Sequence, residues 1–165
     1  MSAPIDPTPP TIRFATPGDA PTLLSFIRAL AEYEREPAAV EVDEPTLRAQ
    51  LGADPPPFEC LIASLEDVPV GISLFFHNYS TWRGRRGLHL EDLFVLPEHR
   101  GRGVGFALLK ELARLAVERD CARMEWAVLT WNEPAIRFYE SLGANIMDGW
   151  RTFRLTDDAL QRLAQ

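Results

Sequence analysis

The run Arg100-Gly101-Arg102-Gly103-Val104-Gly105 puts two guanidinium groups and three glycines into six residues. Leu88 to Leu96 before it reads as a buried strand. Phe106 to Ala116 after it reads as an amphipathic helix. Strand, glycine loop and helix in that order present backbone N–H groups to an anion, most simply a phosphorylated cofactor. Just upstream, Glu91 lies in the apolar strand. A carboxylate there is costly unless it is paired or used. Two uses stay open: an ion pair with a buried arginine, or a proton acceptor. Strand alternation puts Asp92 on the opposite face, in a structural role such as holding the loop.

Several phosphate loops can be tested against this run. A Walker A loop ends in Gly-Lys-Ser/Thr, whereas Gly105 is followed by Phe106. A dinucleotide fingerprint needs a glycine at its sixth position and an early first strand. Phe106 stands where that glycine belongs, and the loop comes late in the chain. An Arg-Gly tail for RNA would be longer and would lack the flanking core periodicity.

The elements that must position these residues follow from periodicity and punctuation. Residues 1–10 hold four prolines and read as a disordered leader, and 11–165 as one domain. Thr11 to Ala15 predicts a first strand. Thr16, Pro17 and Asp19 form a helix start, and Leu23, Leu24, Ile27, Leu30 and Ala31 share one face beyond it. Asp43 to Leu51 predicts a short helix stopped by Gly52. Phe58–Leu65 and Val70–Tyr79 predict a hairpin turning at Glu66 to Pro69. Ser80 to Gly87 reads as a polar, basic loop. The helix after the glycine loop runs to about Arg119. Met124 to Leu129 predicts another strand. Pro134 to Leu142 predicts a helix ended by Gly143. Trp150 to Leu155 predicts a last strand, and Thr156 caps a terminal helix. Hairpins followed by helical crossovers imply an α/β domain with a mixed sheet.

Composition narrows the function classes. The chain has 165 residues, 46% hydrophobic and 25% charged, as expected of a soluble globular domain. A net charge of −7 lacks the basic footprint of a nucleic-acid binder. No segment reaches the roughly 20 apolar residues that span a bilayer. The start has no apolar core of a signal peptide, so a cytoplasmic enzyme is expected. Cys60 and Cys121 fit no disulfide framework and read as buried thiols. His77, His89 and His99 share no ligand spacing, so no metal site is expected.

Arg100-x-x-Gly103-x-Gly105 resembles the acetyl-coenzyme A pyrophosphate loop of the GNAT acyltransferase superfamily. Trp131-Asn132-Glu133-Pro134-Ala135-Ile136-Arg137-Phe138-Tyr139, followed by Gly143-Ala144, resembles a later block of the same superfamily. With Leu90 to Val95, Gly149-Trp150-Arg151 and Tyr33-Glu34, the likeness narrows to the spermidine/spermine (diamine) and thialysine acetyltransferase branch. It spans roughly Ile12 to Leu163. The stretch before Gly149 is shorter than in the polyamine enzymes, and Arg83, Arg85 and Arg86 sit oddly beside a polycation.

The resemblance implies a GNAT fold, a mixed central sheet flanked by helices whose splayed strands hold acetyl-CoA. It implies direct acetyl transfer to a primary amine in a ternary complex, with no metal. Glu91 is then the proton acceptor and a substrate contact, and Tyr139 the acid for the departing thiolate. Backbone N–H groups of Leu93, Phe94 and Val95 serve the oxyanion and pair with the pantetheine arm as an added strand. Arg100, Gly101, Arg102, Gly103, Val104, Gly105 and Phe106 hold the pyrophosphate. Asn132, Glu133, Pro134, Ala135 and Tyr139 complete the cofactor side, Asn132 also suiting an N-cap. Tyr33, Glu34, Trp82 and Asp148, with Glu91, form the expected ammonium pocket. The partners implied are a small amine (a diamine, polyamine or lysine- or thialysine-like amino acid) and a second copy of the chain. Two rivals keep the same loop: an acetyltransferase for protein lysines or N-termini, and a non-catalytic coenzyme A sensor.

Overall fold

The computed structural model describes residues 9–165. Most of the proline-rich leader lies outside the described residues. The described residues form two compact units, one running to Ala127 and the other from Val128 to Gln165.

The first unit is built on a five-stranded sheet in sequential order: β1 (Thr11–Phe14), β2 (Glu59–Leu65), β3 (Val68–Ser80), β4 (Arg85–Val95) and β5 (Met124–Glu125). The first four pair antiparallel and β5 pairs parallel to β4, so the expected mixed sheet is present. Three helices accompany it: α1 (Ala20–Tyr33), α2 (Glu44–Leu51) and α3 (Val104–Glu118).

The helix starts follow the local chemistry. Thr16 and Asp19 make the expected capping box, the Thr16 N–H donating to Asp19 at 2.8 Å, ahead of a 3-10 turn that leads into α1. The Asp43 carboxylate accepts from the Thr46 N–H at 2.9 Å and starts α2. In α3, Val104, Leu108, Leu112 and Leu115 recur at helical spacing and are buried. Each fully buried leucine contributes about 1.5–3 kcal/mol of burial. Leu23, Leu24 and Phe26 of α1 pack with Cys60, Ile62, Ile72, Leu74 and Phe94 on one sheet face. Phe75, Leu88 and Leu90 are buried on the other face, where Arg119 at the end of α3 lies over the Phe75 ring.

The hairpins are tighter and longer than the sequence predicts. Glu66 and Asp67 both take positive φ, 48° and 65°, which makes a two-residue turn and pulls Val68 and Pro69 into β3. The predicted basic loop at Ser80–Gly87 shrinks, because Arg85, Arg86 and Gly87 belong to β4. Gly71 lets α3 close down on the strand ends. A side chain there would meet the Phe94 carbonyl at 2.9 Å and Val104 at 3.4 Å.

The second unit holds α4 (Glu133–Ser141) and α5 (Asp157–Leu163). Gly143 ends α4 with φ 88°, the left-handed exit that glycine permits. Two expectations are corrected here. The strand after α3 covers only Met124–Glu125, because pairing with β4 stops at His89↔Glu125. No strand forms at Trp150–Leu155, which has no ladder partner among the described residues.

Candidate active site

The site in the first unit starts from a counting irregularity in β4. Leu74 pairs with Asp92 and Phe75 pairs with Leu90, so Glu91 is an extra residue in the ladder. A β-bulge of this kind breaks the two-residue alternation. Leu88 and Leu90 stay on the Phe75 face. Asp92 and Phe94 turn to the other face, opposite Leu74 and Ile72. The expected separation of Glu91 and Asp92 onto opposite faces is therefore wrong. Glu91 Oε2 lies 3.6 Å from His89 Nε2, and His89 stacks on Phe76 at 4.8 Å, on the face that Asp92 shares.

The bulge also exchanges the roles of the two carboxylates. The Glu91 side chain is 56% exposed, whereas Asp92 is the sequestered one. Burial, reinforced by Glu91 and then Glu34, pushes the Asp92 carboxyl up to about 6. Partial burial also pushes up Glu34, at the end of α1. Three carboxylates thus raise a negative field over one patch, and among the described residues no arginine or lysine forms an ion pair with any of them. Such a patch suits an ammonium group. Sequence reasoning missed Asp92 as a site residue. The available signal was two adjacent carboxylates in one apolar strand, at least one of which must be buried.

Beyond the bulge, one edge of β4 is open. Parallel pairing with β5 ends at His89↔Glu125, while antiparallel pairing with β3 continues to Val95. Leu93 to Val95 thus lie beyond the last β5 pair, and an extended amide chain can add there as a strand. The Val95 carbonyl is already taken, accepting from Arg100 Nε at 3.0 Å.

The glycine loop follows at once. Gly101 and Gly103 have φ 73° and 79°, and space is open where a Cβ would stand at each. The first helical hydrogen bond of α3 runs from the Ala107 N–H to the Gly103 carbonyl at 2.9 Å. The N–H groups of Val104, Gly105 and Phe106 precede it and carry the positive end of the helix. The donor set fits a pyrophosphate: left-handed glycines, free backbone donors and no carboxylate in the run. Arg102 is exposed and lies 3.2 Å from His99 Nδ1. The Arg100 guanidinium lies over the Tyr33 ring, 4.6 Å from its centre.

Tyr33 and Glu34 close α1 and join this patch through Asp92 and Arg100. Trp82 does not join it within the first unit. It is 88% exposed at the β3–β4 hairpin tip. Arg85 to Glu91 alone spans about 20 Å of strand.

In the second unit, the Asn132 side chain accepts from the Ala135 N–H at 3.4 Å and caps α4, while Pro134 sits in the first turn. Glu133 pairs with Arg137 one turn on, at 3.5 Å. Tyr139 lies on α4 beside Phe138, ring centres 5.6 Å apart, and burial pushes its phenol up. Asp148 and Glu140 line an open hollow of about 450 Å3 with Gly143, Ala144, Asn145 and Ile146. That hollow has none of the glycine-loop chemistry.

Comparison with known proteins gives four findings. The model of the acetyltransferase (GNAT) family matches residues 24–144. The chain is 38% identical over 164 residues to a thialysine N-epsilon-acetyltransferase of Bos taurus, covering 93% of this chain and 96% of that one. It is 42% identical over 111 residues to an L-ornithine N5-acetyltransferase of Arabidopsis thaliana, covering 67% of this chain and 49% of the relative. Among solved structures, an integron cassette protein from the mobile metagenome of V. cholerae superposes with a TM-score of 0.81 at 23% identity, covering 96% of this chain and 99% of that one.

Proposed function

The chain belongs to the GNAT acetyltransferase family, and we propose that it moves the acetyl group of acetyl-CoA onto the primary amine of a small cationic substrate. The substrate class is a diamine, a polyamine or an amino acid with a lysine- or thialysine-like side chain. One observation carries this reading: the bulge at Glu91 places an acidic patch and an open strand edge directly before a left-handed glycine loop. The names of the relatives, which act on thialysine and ornithine, support an aliphatic amine.

The chemistry follows from the charges. Bound acetyl-CoA supplies a thioester carbonyl for attack by the amine nitrogen. A C–N bond forms, the C–S bond breaks, and the amine loses a proton. An alkylammonium has a pKa near 10.4, so only about a thousandth is neutral at pH 7. A patch of carboxylates holds the ammonium form and deepens that problem. Proton removal must therefore be built into the patch. Glu91 takes the proton, directly or through water, because its exposed carboxylate can pass it on to solvent. Asp92 and Glu34 hold the ammonium group in place. N–H groups of Leu93 and Val95, which alternate onto the side away from β3, hold the thioester oxygen and the pantetheine amides. Val104 to Phe106 and the Gly101–Gly103 backbone hold the pyrophosphate, with Arg102 adding charge. In the second unit, the sequence block Asn132 to Tyr139 supports a cofactor role for Asn132, Glu133, Pro134 and Ala135, and an acid role for Tyr139. Neither cysteine is needed, and no acyl-enzyme forms.

The same reading includes a homodimer. Trp150, Phe153 and Leu155 are exposed in a segment without a strand partner, which is a surface for a second copy. Light scattering on the purified protein checks this. Residues 1–10 as a leader and 11–165 as one catalytic domain belong to it too. No helix among the described residues is long and apolar enough to cross a membrane.

The deciding experiment is a panel of putrescine, spermidine, lysine, thialysine and a basic peptide, assayed by coenzyme A release. Rapid turnover of a free amine is expected. Turnover of the peptide alone would overturn the small-substrate reading, and no turnover with any amine would leave a coenzyme A sensor. In parallel, Tyr139→Phe is expected to lower kcat on the order of 100-fold with acetyl-CoA affinity retained. An unchanged kcat would remove Tyr139 from the chemistry.

A further inference from the structure

Arg100 opens the phosphate loop, and its charge invites assignment to the pyrophosphate. Its side chain is engaged elsewhere. Nε donates to the Val95 carbonyl at 3.0 Å. The guanidinium carbon lies 4.6 Å from the centre of the Tyr33 ring and 5.6 Å from that of Phe94. Phe94 in turn meets Phe26 of α1 edge-on, ring centres 6.2 Å apart. One side chain thus touches the end of β4, the last residue of α1 and an aromatic of the core.

We propose that Arg100 is a positioning residue, which clamps the acceptor end of α1 to the cofactor loop through the Tyr33 ring. The planar guanidinium suits this task better than an ammonium would. It stacks on an aromatic face while its edge still donates a hydrogen bond. The neighbouring Arg102 is exposed and stands beside His99, so charge for a phosphate is supplied without Arg100. Glu34 follows Tyr33 directly and contributes to the field on Asp92. A shift of Tyr33 therefore moves one wall of the acidic patch. The clamp makes the loop and that wall move together, so binding at the loop and amine binding at the wall are coupled. This assignment rests on the acceptor role of Glu34 proposed above.

Arg100→Lys separates the two roles, because it keeps the charge and loses the stacking plane and the Nε donor. With spermidine and thialysine as acceptors, the amine KM is expected to rise about fivefold or more. The coenzyme A affinity, read by calorimetry, is expected to move less than about twofold. Tyr33→Ala should raise the amine KM similarly, Tyr33→Phe should recover most of that loss by keeping the ring, and the double variant Arg100→Lys/Tyr33→Ala should be no worse than the worse single. A large loss of coenzyme A affinity in Arg100→Lys with an unchanged amine KM would overturn the clamp and return Arg100 to the phosphate. Multiplying effects in the double variant would overturn it too. Urea midpoints of the same four proteins read the contact without catalysis: coupled shifts support it, additive shifts refute it. An amine KM unmoved by Glu34→Gln would instead strike the acceptor role of α1, an outcome distinct from loss of the contact.

Discussion

From Arg85 to Leu90, β4 runs between two neighbours, antiparallel to β3 and joined to β5 at Leu88 and His89. From Glu91 to Val95 it is paired with β3 alone. In the first half, alternation holds and Leu88 and Leu90 fill the core. In the second half, the bulge reverses the faces, buries a carboxylate and leaves a backbone edge open. Ordinary strand chemistry serves stability in one half. In the other half, the departure from it gathers carboxylates where the pairing with β5 has ended. Regular pairing is given up in the half of β4 that the proposed function assigns to the substrates.

The sharpest contrast uses two glycines with left-handed φ and open space around them, Gly103 and Gly84. Gly103→Glu should abolish coenzyme A binding in calorimetry, because a carboxylate would stand where the pyrophosphate belongs. Gly84→Glu, at the hairpin tip beside the first half, should cost about 1 kcal/mol of stability and leave coenzyme A binding intact. Equal losses at the two positions would erase the contrast.

Next in size is the proton step. Glu91→Gln should lower kcat on the order of 100-fold at saturating acetyl-CoA. Glu125→Gln, on β5 opposite His89, should leave turnover near that of the parent, since Glu125 is engaged with Asn78 and Arg123. A rate loss confined to Glu125 would move the chemistry to the wrong half.

A smaller effect runs through stability. Asp92 titrates at about 6 in the folded chain and near 3.9 when unfolded. The folded state therefore binds the proton more tightly. Stability falls as pH rises from about 4 to about 6, and the penalty, about 2–3 kcal/mol, then stays constant. Asp92→Asn should raise the urea midpoint at pH 7.5, flatten its pH dependence between 4 and 6, and weaken amine binding. An unchanged midpoint would mean that Asp92 is not a strained carboxylate.

The smallest expected effect concerns the thiols. Cys60 is buried, and burial pushes its thiol well above the ordinary range. Burial pushes the Cys121 thiol up as well. Iodoacetamide at pH 7.5 should leave acetyl transfer unchanged, and inactivation protected by acetyl-CoA would break the assignment.

Much of the fold was legible because its signals are local. The capping box at Thr16 and Asp19, the Asp43 cap, the spacing of Val104 to Leu115 and the left-handed exit at Gly143 all depend on residues within a few positions. The glycine loop was legible for the same reason, and with the Asn132–Tyr139 block it pointed to the family. The Trp150–Leu155 segment was misread as a strand because composition says what a residue favours, not what pairs with it.

The sequence by itself therefore determined the glycine loop, the helices around it and the acetyltransferase family, since turn, cap and period are properties of short stretches. Tertiary structure alone decided which carboxylate is buried and where Arg100 points. Both depend on register. One residue more in β4 than in β3 turns Asp92 and Phe94 toward α1, and only that packing brings Tyr33 under the guanidinium.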